Sequence, residues 1–195
     1  AKTGQLVSFF SIDIAPENTA SLDDDATAEA LAKKYYEILP VPQGYDIISC
    51  ENYDEQYRSY SFAREVAPGV YNPYELVRVA INPLTGRLTG CNVFHFPLLD
   101  DHTPDDVPLT QAQAEQVAQS CKNISLEGYE LTGAEVQIVL PNWSFTDYDT
   151  ADIRYSDVSR YAWVLTYEMP DAEFATITKV FVDLYTGEIL GGDCV

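Results

Sequence analysis

The sequence predicts an α+β protein of tandem units, each one helix packed on a curved antiparallel β-sheet. Three observations lead there: a hairpin signature that recurs, a helix signature that recurs upstream of it, and strand-like runs between the two. "TGRLTGCNVF" from Thr85 and "TGEILGGDCV" from Thr186 each follow an apolar strand, and "TGQLVSFF" from Thr3 repeats their opening. "AEALAKKYY" from Ala28 and "AEQVAQSCK" from Ala114 share the second pattern.

Residues 1–22 read as the trailing half-hairpin strand of a preceding or degenerate unit, because their turn has no incoming strand. On that reading the chain is a fragment of a longer repeat protein. Leu6, Val7, Phe9, Phe10, Ile12 and Ile14 are too apolar to remain in water, so this strand is expected to add to a sheet edge or bridge to the second unit. The first unit spans residues 23–99. Its helix places Ala28, Leu31, Ala32 and Tyr35 at i, i+3, i+4 and i+7, with Asp25 as N-cap and Pro40 and Pro42 as the stop. Strands follow in "YDIISCENY" and "YRSYSFAREV", then "ELVRVAINPLTG", where Val77, Val79 and Ile81 alternate. Asn82-Pro83 supplies turn chemistry, and Gly86 supplies φ > 0 after Thr85.

Residues 100–108 form an acidic, proline-rich linker. The second unit spans 109–195. Thr110 and Gln113 make a capping box ahead of Ala114, Val117, Ala118 and Cys121. Strands are expected in "ELTGAEVQIVL" and "RYAWVLTYEM". Between them, "PNWSFTDYDTADIRYSD" reads as an insertion near 141–157, polar and without periodicity. The closing hairpin turns at Asp183, Thr186 and Gly187.

Charge narrows the partners. Eleven Lys and Arg face 31 Asp and Glu in 195 residues, a formal net charge of −20. Nucleic acids and anionic membrane surfaces are disfavoured, since both are held by phosphate neutralisation. No run reaches the ~20 apolar residues of a membrane span, so no direct membrane insertion is expected, and no signal peptide is visible.

The helix opening "A-E-x-[LV]-A", the strands and the ending "VFVDLYTGEILGG" resemble PepSY-type domains, and within them the YcdB/YcdC-type repeated domains of bacterial secreted and cell-envelope proteins. "VRVAINPLTGRLTG", preceded by "SYSFAREVAPGVY", is similar in the first unit. The resemblance covers most of residues 26–195. It implies a PepSY-like fold, cystatin-like in appearance, in a secreted or cell-surface protein of a bacterium. Such domains occur in propeptides of secreted metallopeptidases and in envelope proteins, and they offer no catalytic residue to carry over.

The residues agree in offering little chemistry. His95 and His102 lack any serine-nucleophile context, and HExxH and phosphate-binding loops are absent. Asp147, Asp149 and Asp152 are candidate calcium ligands, in a loop without the glycine and distal glutamate of a calcium site. The expectation is therefore no enzyme, no cofactor and no resident metal.

Fourteen tyrosines suit half-buried strands and recognition surfaces alike. In "YRSYSF" the period of two turns Tyr60 and Phe62 toward the helix and leaves Tyr57 outward. Tyr53, Tyr57, Tyr71 and Tyr74 are accordingly the candidate partner-binding residues, on the open face of the first sheet. Four cysteines allow three pairings. Within-unit logic favours Cys50–Cys91 and Cys121–Cys194, with buried thiols as the alternative. The functional expectation is a non-catalytic extracytoplasmic binding or regulatory module that binds a protein partner, a secreted peptidase first among them. The alternative is a scaffolding repeat of the envelope, binding a protein or wall polymer.

Overall fold

The structure is a computed structural model that describes residues 7–11, 25–54, 57–103, 105–144, 156–170 and 177–194, without the side chains of Tyr53 and Asp54. These residues form nine strands and two helices in two compact units, Ala1–His95 and Phe96–Val195. The expected α+β class with tandem helix-on-sheet units is overturned. The protein is mainly β: two antiparallel sheets, with helices of only 14 and 10 residues. The recurrent stripes do form helices, but they are narrow, burying three residues of the first and two of the second. Strands supply most of the buried side chains. Among the described residues no helix is long and apolar enough to cross a membrane.

The first unit contains β1 (Ser8–Phe10), α1 (Asp25–Ile38), β2 (Asp46–Asp54), β3 (Tyr57–Ala67), β4 (Val70–Ile81) and β5 (Leu88–His95). Its sheet runs β1-β5-β4-β3-β2, every pair antiparallel. The described part of the opening strand pairs at the sheet edge, with Phe9 opposite Cys91, but Val7 and Phe10 stay exposed; Leu6, Ile12 and Ile14 lie outside the described residues. Alternation puts Tyr60, Phe62, Val77, Val79, Ile81 and Cys91 on one face, in a cluster with Ala28, Ala32 and Tyr36 of α1. Asp25 is the first residue of α1, not its cap; its carboxylate takes Arg58 Nη1 at 2.7 Å.

The second unit contains α2 (Gln111–Ser120), β6 (Glu130–Val139), β7 (Arg160–Glu168), β8 (Ile177–Asp183) and β9 (Ile189–Cys194), with the sheet in that strand order. Thr110 accepts the Gln113 N–H while the Gln113 side chain accepts the Thr110 N–H, closing the capping box. Ala114 and Ala118 pack with Leu165, Tyr167, Val180 and Val182 on one face. A second cluster, Val139, Ala162, Val164, Phe181 and Leu190, lies against Trp143. The stretch expected as a linker belongs to this unit: Asp101 takes Arg160 Nη2 at 3.1 Å, and His102 stacks on Tyr185 at 4.0 Å.

Both hairpins close the same way. Asn82 Oδ1 accepts the N–H groups of Leu84 and Thr85 at 2.9 and 3.3 Å; Asp183 Oδ1 accepts those of Tyr185 and Thr186 at 3.0 and 2.7 Å. Thr85 Oγ1 then accepts the Arg87 N–H, and Thr186 Oγ1 that of Glu188. Gly86 and Gly187 both stand at φ +71°, where a Cβ would crowd the backbone.

Neither expected disulfide forms. Cys50, Tyr60, Val79 and Cys91 lie in one cross-strand row, so three inter-strand steps of ~4.8 Å separate the two thiols. That is roughly twice the ~7 Å that a disulfide spans between Cα atoms. Cys121 and Cys194 also keep their thiols, because α2 packs on β7 and β8 while Cys194 ends the outer strand β9.

The start of the expected insertion, residues 141–144, covers the outer edge of β9. Asn142 Nδ2 donates to Gly192 O at 2.9 Å and Asn142 Oδ1 accepts the Gly192 N–H at 3.1 Å. Gly191, at φ +122°, permits this approach: a Cβ there would run into the Asn142 carboxamide and stand 2.8 Å from Trp143 N. Gly191→Ala is therefore expected to displace residues 141–144 and destabilise the protein by about 1–3 kcal/mol, read by urea unfolding. A variant with unchanged stability and unchanged Trp143 fluorescence would contradict this edge contact.

Candidate functional site

A cleft of about 690 Å³ opens in the first unit between α1 and the sheet. Its walls come from Glu29, Lys33, Tyr36 and Glu37 of α1, Asp46 and Ile47 of β2, Phe62 of β3 and Tyr71 of β4, with Gln43, Gly44 and Tyr45 closing one end. A shallower depression of about 300 Å³ at the β3–β4 turn, lined by Glu65, Val66, Ala67 and Pro68, has no aromatic wall.

The cleft begins with how α1 stops. The last carbonyls of a helix lack intrahelical donors. Here Gln43 Nε2 donates to the carbonyls of Tyr36, Leu39 and Val41 at 3.0, 3.2 and 3.2 Å. That clamp returns the chain toward β2, and Tyr45 N–H then donates to Tyr36 Oη at 3.0 Å. The Tyr36 ring stacks on Phe62 with centroids 4.2 Å apart, forming the buried floor. Tyr45 and Tyr71 stay half-buried above it.

Behind Tyr45 lies a buried carboxylate. Glu75 is 2% exposed and accepts Tyr45 Oη at 3.2 Å and Arg64 Nη1 at 3.3 Å on both oxygens, with His95 Nδ1 at 3.6 Å. Burial, then the Glu75 charge, pushes the Tyr45 hydroxyl up to about 12, so at neutral pH it is a fixed donor. Burial, then the Asp46 and Glu65 carboxylates, also raises Tyr71. The pairing of β3 with β2 and with β4 explains the neighbours: Asp46 faces Ala63 and Tyr71 faces Glu65, so both sit beside one end of β3.

The four tyrosines expected to share an open face do not share one. Tyr71 lines the cleft on the helix side. Tyr57 begins β3 opposite Asp54, eight positions from Glu65 and hence roughly 26 Å from the strand end that Tyr71 faces. Tyr53 lies in β2, and Tyr74 follows Asn72, whose side chain accepts its N–H at 3.0 Å. Along β4 Tyr71 shares the parity of Val77, Val79 and Ile81, whose side chains join the helix-side core, and the β3–β4 pairing is irregular between Ala63 and Ala67. Tyr36, Tyr45, Asp46 and Glu75 were not expected at a site. Glu75 had a readable signal, since it shares the inward parity of Val77, Val79 and Ile81. Asp147, Asp149 and Asp152 lie outside the described residues; among those described, no group of three or more His, Cys, Asp or Glu side chains could hold a metal ion.

No family model and no curated protein matches the chain. Among solved structures, it is similar to the Bacillus megaterium YpeB C-terminal domain, at 13% identity and a TM-score of 0.42, over 97% of this chain and 71% of that one. An alignment at that level transfers no site residue.

Replacing Tyr45 with Phe removes a donor from a buried carboxylate and is expected to cost about 1–3 kcal/mol in urea unfolding at pH 7. The pH dependence has a definite sign. Because folding raises the Tyr45 hydroxyl from its ordinary 10 to about 12, the stability it lends is complete below pH 10 and is lost as pH climbs toward 12. Tyr45→Phe should flatten the alkaline fall of stability; an unchanged slope would contradict the assignment.

Proposed function

We propose that the protein is a non-catalytic, extracytoplasmic binding or regulatory module that grips a protein partner, a secreted peptidase first among them, through the α1–sheet cleft. The observation that carries this reading is the cleft itself, walled by Tyr36, Tyr45, Phe62 and Tyr71. Aromatic side chains give large contact area at low entropy cost, and here they share a concavity with the polar side chains of Glu29, Lys33, Glu37, Gln43 and Asp46. The extracytoplasmic setting and the peptidase rest on the resemblance of the repeated sequence motifs to PepSY-type domains.

The test compares the natural chain with Tyr71→Ala for capture of secreted proteins from the source cell, with thermal unfolding as the control for folding. The expected outcome is a captured peptidase, slowed in its own turnover, that is lost from the variant while stability is kept. Capture unaffected by Tyr71→Ala would reject the cleft. Turnover of a peptide, glycan or ester by the purified chain would reject the non-catalytic reading.

A further inference from the structure

The polar groups around the cleft are lopsided. Glu29, Glu37 and Asp46 supply three carboxylates, and Lys33 the single cation. Lys33 is already held by Glu29 at 2.7 Å, one turn along α1, so these two charges largely cancel. Glu37 and Asp46 remain, both on exposed positions of the wall. Tyr45 and Tyr71, half-buried, line the same cleft, and so does the buried Tyr36–Phe62 stack. Aromatic faces beside uncompensated carboxylates form a surface that attracts a cation twice over, through the ring quadrupole and through charge. An anionic or purely apolar occupant would leave the charge of these carboxylates uncompensated, since the Tyr71 hydroxyl that bonds Asp46 is neutral. The chain's formal charge of −20 adds a long-range field of the same sign, which draws basic partners toward it.

We infer that the cleft receives a lysine or arginine side chain from a basic segment of a protein partner, its charge between Asp46 and Glu37 and its stem on the tyrosine rings. This rests on the reading of the cleft as the recognition surface, and gives that reading a chemical class. Tyr71 supplies the ring face, Asp46 the adjoining charge. Glu75 is not available to the cation, because Arg64 and Tyr45 already occupy it.

The experiment is a titration of the full chain, followed by amide nuclear magnetic resonance, with three capped tripeptides: acetyl-Gly-Lys-Gly-amide, its Nε-acetyl-lysine analogue and its glutamate analogue. The lysine peptide is expected to shift the amides of residues 36, 37, 43–47 and 71, the other two to leave them in place. Tyr71→Leu should weaken the lysine peptide about three- to tenfold while Tyr71→Phe, which keeps the ring, restores it. Asp46→Asn should weaken it too and lessen its dependence on salt. Equal shifts from the acetyl-lysine peptide would overturn the cationic assignment and leave the cleft as a binding surface. Shifts scattered over the acidic surface and indifferent to all three substitutions would overturn the cleft as well. So would cleft amides that none of the peptides moves.

Discussion

At each hairpin one buried side-chain oxygen, Asn82 Oδ1 or Asp183 Oδ1, accepts two backbone N–H groups of the turn that it begins. The same residue's own N–H donates across the turn, to Arg87 O or Glu188 O at 2.9 and 2.8 Å, and its carbonyl accepts the N–H of Gly86 or Gly187. Six backbone groups of each closed turn are thereby satisfied around one residue, two of them by its side chain. The arrangement fixes where β4 hands over to β5 and β8 to β9, and a slip by one residue would turn each strand's apolar set to the wrong face. β4 also carries Glu75, which faces His95 in the same ladder, so the carboxylate behind Tyr45 inherits its placement from that register.

The two turns differ by a charge, and their surroundings differ to match. Asn82 is neutral and fully buried, and the amide suffices. Asp183 is 2% exposed and holds Arg160 Nε at 2.7 Å, while other guanidinium nitrogens reach Asp101 at 3.1 Å and Glu188 at 3.9 Å. A buried carboxylate without such a partner would be strongly destabilising. The partner draws residues 100–102 into the second unit, which is why a stretch that reads as a polar linker is tied to a strand. The sheets also treat their faces differently. The second is covered by α2 on one side and by Trp143 on the other; in the first, α1 leaves one end of its face uncovered, and the cleft opens there.

Local signals were legible in the sequence, and long-range ones were not. The turn chemistry around Asn82 and Asp183, the Thr110 capping box and the inward parity of Tyr60 and Phe62 all follow from neighbours a few residues apart. A helical stripe, by contrast, says that a helix forms and not how much of the core it supplies. Ala28, Ala32, Ala114 and Ala118 are buried but small, which is why the class tipped from α+β to mainly β. Tyr71 shares the β4 parity of Glu75, Val77, Val79 and Ile81, whereas the pairing shifts after Ala63 are announced by nothing within β3 alone. The docking of Asn142 against Gly192 joins residues 50 positions apart and leaves no periodic trace. The cysteine pairs failed for the same reason, since strand order decides which residues come near.

Amide hydrogen exchange on the Asn82→Ala chain, set against the natural one, tests most directly whether the turn oxygen holds the register. The account predicts that the Leu84 and Thr85 amides lose protection, and that the β4–β5 ladder from Val77 to Ile81 and from Leu88 to Val93 loses it with them. Protection unchanged along both strands would contradict it.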